Sequence, residues 1–154
     1  MSTRLTKRNI PMRDSESLQL VLQATKISEQ ITLHVSQELT KKGYESATPA
    51  VLGFLSTLDC GVNYASEIAR NLGVSRQMVA KTVKEFIRLG YLEQQAGIGK
   101  QKEILFTEKG EHLMSDSRAI LADIDKRVAD DLNDKALNET LNKLTDIQQT
   151  LNHL

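Results

Sequence analysis

The residues of this chain that could carry chemistry are mainly basic, and they concentrate near its centre. Lysine and arginine exceed aspartate and glutamate by three in residues 67–103, whereas residues 14–66 and 104–154 are acidic by three and by four. The whole chain of 154 residues has no net charge. A basic centre between acidic flanks is the pattern expected of one face that attracts a polyanion such as nucleic acid. Ordinary scatter of charges is the alternative.

Other chemistries lack their residue patterns in this sequence. His34, His112 and His153 are scattered, with no HExxH motif and no cysteine–histidine cluster, so we expect no metal site. There is also no P-loop and no GxSxG turn. The single cysteine, Cys60, has no second cysteine to pair with, and we interpret it as a small side chain without a redox role. We therefore expect neither an enzyme nor a resident cofactor.

Composition places the chain among small helical proteins. Its 154 residues fit one domain with helical extensions, and its few Gly, Pro and aromatic residues favour helices. No apolar run approaches the roughly 20 residues needed to cross a bilayer. One cysteine and no signal-type segment indicate a reducing compartment. We expect a cytoplasmic protein that has no membrane partner.

The elements that must position the basic residues begin with an arm and a long helix. Residues 1–13 contain four bases, no acid and no apolar periodicity, which predicts a flexible basic arm without structure of its own. Residues 14–43 have apolar side chains every three to four positions. This spacing predicts a helix that is capped by Asp14 or Ser15 and ended by Gly43.

The central segment, residues 48–107, predicts three short helices followed by a hairpin. Thr48-Pro49 is a strong helix start, because a hydroxyl cap precedes a proline at the first helical position. The tight turn of residues 73–75 separates a helix of about 65–72 from the next, which ends at Gly90. The apolar side chains expected to face the core from this last helix are Val79, Val83, Phe86 and Ile87.

After Gly90 the hydrophobic period changes from helical spacing to alternation. This alternation predicts two strands over residues 91–95 and 103–107, with Gly97-Ile98-Gly99 as the turn between them. Two short helices joined by a tight turn and followed by a β-hairpin make a winged helix-turn-helix. Its second helix can enter the major groove of DNA, and its hairpin can reach phosphates or the minor groove.

The C-terminal segment, residues 108–154, predicts two helices with apolar stripes. Both terminal helical regions lie outside the central unit, and such stripes must be buried somewhere, so we expect them to form a homodimer. The fold class expected is mainly α with a small β-hairpin wing: a winged helix-turn-helix flanked by N- and C-terminal dimerisation helices. The stripe of the last helix consists of Leu137, Leu141, Leu144, Ile147, Leu151 and Leu154.

The stretch ASEIARNLGVSRQMVAKTVKEFIRLGYLEQ, followed after the hairpin by ILFTEKGEHLM, resembles the MarR family of bacterial transcriptional regulators. The resemblance covers about residues 16–154 and is most specific over 64–112. Its most specific features are the Leu-Gly-Val-Ser turn, the Leu-Gly-Tyr-Leu helix end and the Phe-Thr-Glu-Lys-Gly after the wing. It implies a dimeric repressor that binds a pseudo-palindromic site in double-stranded DNA and responds to a small-molecule effector.

The resemblance assigns the basic residues to parts of the DNA. Arg76, Gln77 and Lys81 are candidates for base edges, because arginine and lysine donate to guanine and glutamine pairs with adenine. The phosphate candidates are Ser75, Lys84, Lys100 and Lys102, and Ala80 and Gln101 complete the set expected to face DNA.

The sequence departs from the family pattern in the wing and in the second helix. The family commonly has Asp-x-Arg near the wing tip, where this chain has Ile98 and Lys100. Lysine is a flexible point charge and suits a narrow minor groove less well than arginine, so weaker or purely phosphate contacts are implied. Met78 stands where the family often has Thr or Ser. It either packs in the core, which we favour, or touches a thymine methyl group.

The resemblance also implies a small-molecule pocket between the dimerisation helices and the DNA-binding lobe. The residues expected to line it are Ile31, His34, Val35, Phe54 and Leu58. The alternative function is a protein–protein interaction module that keeps the winged fold but no longer reads DNA. The changed wing favours that alternative, and the basic positions along the second helix oppose it.

Overall fold

The computed structural model describes residues 3–154. Ten elements follow one another in this part of the chain, and they confirm a mainly α fold with a small hairpin wing. Their bounds are β1 (Thr3–Leu5), β2 (Pro11–Arg13), α1 (Glu16–Lys41), α2 (Pro49–Leu55), α3 (Ala65–Leu72), α4 (Arg76–Arg88), β3 (Leu92–Ala96), β4 (Lys102–Phe106), α5 (Glu108–Asp131) and α6 (Ala136–Leu151).

Four helices begin at hydroxyl caps that the sequence predicts. Ser15, Thr48, Ser75 and Thr107 each accept a hydrogen bond from the backbone N–H three residues further on. Each bond satisfies one of the donors that a helix leaves free at its start. These side chains fix where α1, α2, α4 and α5 begin.

The core lies where the C-terminal half of α1, the central helices and the first half of α5 meet. Residues from distant parts of the chain pack together in this single core. Its most completely buried side chains are Leu39, Leu55, Val79, Val83, Tyr91, Leu92, Ile104 and Leu113. The lobe that carries α3, α4 and the β3–β4 hairpin is therefore packed onto the long helices rather than tethered to them.

The wing is an antiparallel pair with a third short contact. β3 and β4 pair from Leu92↔Phe106 to Ala96↔Lys102, and Asn63 bridges to Ile104 on the other side of β4. The buried Asn63 amide also bonds to the backbone of Asp59, with Asp59 N–H donating to it at 2.8 Å and its own NH₂ donating back at 2.9 Å. The base of the wing is thus fixed to the loop that precedes α3.

The expectation of an unstructured arm over residues 1–13 is wrong for residues 3–13, which form a hairpin. Thr3 pairs with Arg13, and Leu5 with Pro11. The turn is held by the Thr6 hydroxyl, which accepts from two backbone N–H groups, and by Asn9 at a φ of 60°. Asparagine adopts such angles more readily than most residues. The strand residues of this hairpin are all exposed.

Two helical surfaces remain uncovered in the single chain. Residues 21–30 of α1 are all exposed, and α6 has no buried residue. Several large apolar side chains lie on both, including Val21, Leu22 and Leu141, the last of which is 59% exposed. No helix within residues 3–154 is both long enough and apolar enough to cross a membrane.

Candidate nucleic-acid interface

The helix-turn-helix is formed by α3, a glycine turn and α4. Ile68 and Ala69 of α3 are buried, so the two helices approach closely. Gly73 ends α3 in the left-handed region at a φ of 65°, which favours glycine. Its position lets the chain turn within three residues and reach Ser75, the cap of α4, as the sequence predicts.

The buried face of α4 anchors it and leaves its opposite face in solvent. Val79, Val83 and Phe86 are buried as expected. Ile87 is 37% exposed, so its predicted place on the buried face is wrong. It lies one position beyond Phe86, about 100° further around the helix, which turns it toward the edge of the contact.

The predicted DNA-facing residues of α4 form one solvent-exposed surface. Arg76, Gln77, Ala80, Lys81 and Lys84 are all exposed, as is the Ser75 cap. Within residues 3–154, no ion pair involves Arg76, Lys81 or Lys84. We call the surface made by Ser75, Arg76, Gln77, Ala80, Lys81 and Lys84 the α4 face.

The fourth base of α4, Arg88, is paired with an acid of its own helix. The Arg88 guanidinium forms two hydrogen bonds with the Glu85 carboxylate. That contact lowers the pKa of Glu85 below its ordinary value. The bases of α4 that form no ion pair with residues 3–154 are thus concentrated in its first three turns.

Met78 corrects a second expectation from the sequence. We expected its side chain in the core, but it is 57% exposed. Its backbone N–H donates to the Ser75 hydroxyl at 3.1 Å, which places it in the first turn of α4 beside the basic residues. The apolar side chain therefore lies within reach of whatever the α4 face binds.

The wing tip presents a second basic surface. Lys100, Gln101 and Lys102 are exposed, as expected, and so is Ile98. The backbone makes a tight turn here. Gly97 N–H donates to Gln101 O across the turn at 3.2 Å, and Gly99 has a φ of 75°. Both surfaces belong to the lobe whose core includes Val83 of α4 and Ile104 of β4.

A cavity of about 520 Å³ lies between the long helices and the lobe. Three of its five predicted lining residues, Ile31, Val35 and Leu58, do line it. His34 does not, because its side chain is exposed on another side of α1. Phe54 does not either, since it packs edge-on against Phe86 with ring centroids 5.1 Å apart.

No pattern in the sequence indicated the other wall of this cavity. That wall comes largely from α5, through Met114 and Leu121, which directly follow the buried Leu113 and Ile120 along the helix. Which residues face a cavity depends on how α1 crosses α5, and no local spacing reports that angle. The lining residues missed include Leu52, Phe106, Met114, Ser117, Arg118 and Leu121.

A small set of hydrogen bonds connects the end of α1 to α5 beside the lobe. Tyr44 Oη donates to Asp116 Oδ2 at 2.7 Å, and Lys42 Nζ lies 3.7 Å from the other oxygen of the same carboxylate. Burial, together with this hydrogen bond and the Asp116 charge, raises the pKa of Tyr44 to about 12. Tyr91 Oη donates to the carbonyl of Glu45 in the same loop. These contacts fix the loop 42–45 to both α5 and the start of the wing.

Comparison with known proteins places this geometry in a recognised fold. No family model and no curated protein matches the sequence. The chain is similar to Streptococcus pneumoniae FabT, solved in complex with DNA, with a TM-score of 0.74 and 13% identity over 90% of this chain and 99% of that one. It is also similar to a MarR transcriptional regulator from Methanosarcina mazei, with a TM-score of 0.65 and 16% identity over 88% of this chain and 99% of that one.

A third similar structure holds a small molecule. It is CouR from Rhodococcus jostii bound to p-coumaroyl-CoA, with a TM-score of 0.60 and 17% identity over 88% of this chain and 95% of that one. The likenesses define the class of fold, a winged helix between long helices. More particularly, it is the winged-helix fold of the MarR-family transcriptional regulators, as the sequence resemblance implied.

Proposed function

We propose that this protein is a sequence-specific DNA-binding transcriptional regulator of the MarR type. It acts as a homodimeric repressor on a pseudo-palindromic operator in double-stranded DNA, and a small molecule regulates it. No enzymatic activity is part of this proposal.

The observation that carries the proposal is the α4 face. Arg76, Lys81 and Lys84, which form no ion pair with the described residues 3–154, lie beside Gln77 on a helix whose other side is anchored in the core. A major groove admits a helix, and these side chain types donate to the edges of guanine and adenine. The exposed methyl-bearing side chains of Met78 and Ala80 suit contact with thymine methyl groups.

The uncovered apolar surfaces support the dimer. The first half of α1 and the whole of α6 expose leucine, valine and isoleucine side chains, and the N-terminal hairpin adds Leu5, Ile10 and Met12. Apolar stripes exposed on helices are typical of protein–protein contacts. A two-fold dimer buries the same surface of each chain against its copy and presents two α4 faces to the DNA.

The cavity supports regulation by a small molecule. Its volume of about 520 Å³ is in the range of ligand sites, and its lining is mainly apolar with Arg118 and Glu111 at the wall. It lies between the helices of the proposed dimer and the lobe that carries α4. A ligand that binds better to one separation of the two lobes than to another shifts the population between them.

The second candidate function is a protein–protein interaction module. The observation in its favour is the wing tip, where Ile98 and Lys100 replace an acid and an arginine. Under this function the basic lobe would bind an acidic protein surface instead of DNA.

Fluorescence anisotropy separates the two functions. Labelled duplexes tiled across the DNA upstream of this protein's own coding sequence are titrated with the protein at several salt concentrations. We expect one duplex to bind more tightly than its scrambled version, with an affinity that falls steeply as salt rises, because lysine and arginine release counterions from phosphates. No duplex binding at low salt would overturn the proposal in favour of the interaction module.

A further inference from the structure

The tip of the wing carries an isoleucine that nothing else in residues 3–154 covers. Ile98 is 95% exposed. A single exposed apolar residue is common on protein surfaces. Ile98 is unusual because it lies at the tip of the hairpin, in the turn between β3 and β4.

Glycines on both sides of Ile98 shape this end. A Cβ on Gly97 would come within 2.6 Å of the Gln101 carbonyl oxygen, so no larger residue fits there without a shift of the backbone. Gly99 has a φ of 75°, which favours glycine. The strands are paired up to Ala96↔Lys102, so the isoleucine projects from a short loop whose two ends are held together.

The charge around Ile98 indicates what the tip meets. Residues 94–102 contain Lys100 and Lys102 and no acid, and Glu93 and Glu103 border this segment at the base of the loop. An apolar apex followed by two ammonium groups fits a narrow slot lined by phosphates, and the minor groove of DNA is such a slot, about 6 Å wide. Isoleucine is one of the side chains that minor-groove proteins insert between base steps.

The following inference rests on the proposed DNA binding. We propose that Ile98 is an apolar wedge that enters the minor groove and partly unstacks one base step in each half-site. Lys100 and Lys102 contact the flanking phosphates. Pyrimidine–purine steps unstack most easily, so the wedge selects TA or CA/TG at a position that no hydrogen bond reads. Ile98 is then a specificity-determining residue, although it makes no hydrogen bond to a base.

The test uses a duplex that the full chain has selected from a randomised pool, with 2-aminopurine placed in turn at each step beneath the wing. We expect the wild type to raise 2-aminopurine fluorescence at one step per half-site, and Ile98→Ala to abolish that rise and to weaken binding about tenfold. The salt dependence should stay unchanged, because no charge is removed. Ile98→Leu should keep the signal. Val62→Ala, a loss of another exposed aliphatic side chain of the lobe, should bind and unstack as the wild type does.

Two results would overturn the inference, and they differ. If the wild type binds the duplex and Ile98→Ala matches its affinity and its 2-aminopurine signal, the wedge is wrong and the proposed function stands. If the wild type binds no duplex at low salt, the proposed function is wrong, and the inference about Ile98 is wrong as well. Equal melting temperatures of the variants establish that the differences come from the contact and not from the fold.

Discussion

Arg76 and Gln77 occupy the first turn of α4, directly after the Ser75 cap. The cap fixes where the helix starts, and the buried Val79 and Val83 fix its rotation about its own axis. The backbone from which the two exposed side chains project is therefore fixed in place. Lys100 projects from the wing loop, where a flexible point charge suits a phosphate oxygen better than a base.

Replacing either first-turn side chain should weaken specific binding. Arg76→Ala or Gln77→Ala should cost about 1–3 kcal/mol on the preferred duplex and blur its preference at one base pair in each half-site. Lys100→Ala should instead weaken binding to all sequences alike and lower the salt slope by about 1. Anisotropy on matched and scrambled duplexes measures both effects.

Arg88→Ala is the matched control for these variants, because it removes an arginine that Glu85 already pairs at the other end of α4. It should leave the discrimination between matched and scrambled duplexes intact. If Arg76→Ala and Gln77→Ala bind both duplexes as the parent does, the assignment of the α4 face to base reading is wrong.

The Tyr44–Asp116 pair makes stability depend on high pH. Because the folded state raises the pKa of Tyr44 from 10.0 to about 12, the protein holds this proton more tightly than the unfolded chain does. The resulting stabilisation is fully present below pH 10 and is lost as the pH rises from 10 to 12. Urea unfolding measured between pH 10 and 12 should show a free energy of unfolding that falls as the pH rises.

Tyr44→Phe checks the cause of that fall. The variant should lose about 1–2 kcal/mol at pH 7, since it removes a hydrogen bond to a carboxylate, and its stability should fall less between pH 10 and 12. Tyr91, whose pKa burial also raises, remains in the variant and accounts for a residual slope. An unchanged slope in Tyr44→Phe would contradict the assignment.

At the scale of elements, the sequence predicts the central lobe well because its boundaries depend on local chemistry. A hydroxyl cap such as Thr107 and a left-handed glycine such as Gly90 act within one turn, and both lie where the spacing put them. The N-terminal hairpin escaped prediction since its apolar residues, Leu5 and Met12 among them, fall on both faces and leave no alternation. The α5 wall of the cavity escaped because it depends on the packing of distant helices.

The apolar stripe of α6 should hold two chains together. Leu141 and Leu144 are exposed in the single chain, and replacing both with Asp would bury charge in the expected interface. We expect the wild type to be a dimer at micromolar concentration in light scattering and the double variant to be a monomer or unfolded.

A control variant that adds the same charge tests which side of α6 forms the dimer interface. Asn142→Asp with Gln149→Glu adds two acids on the opposite side of α6 and should remain dimeric. A monodisperse wild-type monomer, or a control that dissociates as readily as the double variant, would refute this interface.

At the scale of the whole molecule, an excess of basic residues lies in the lobe that carries α4 and the wing. Residues 67–103 are basic by three, whereas residues 104–154 are acidic by four. A polyanion is therefore drawn to the α4 face and the wing and repelled by the helices expected to form the dimer. Zero net charge conceals this polarity, which appears only when the chain is divided into its structural parts.

A rigid dimer fixes the distance between its two α4 faces, so the operator must match that distance. Successive major grooves on one side of DNA are about 34 Å apart. Inserting five base pairs between the half-sites turns one of them to the opposite side of the duplex. Wild-type affinity should then fall about a hundredfold, to that of a single half-site, because the second contact is lost.

Inserting ten base pairs returns both half-sites to the same side of the duplex but moves them one helical turn further apart. Affinity should therefore stay low unless the dimer or the DNA bends. The Leu141→Asp, Leu144→Asp variant, if it remains folded as a monomer, should bind all spacings equally and as weakly as one half-site. Anisotropy on the three duplexes with both proteins measures this. A wild type whose affinity ignores the five-base-pair insertion would mean that the two DNA-binding lobes are not held rigidly by α1, α5 and α6.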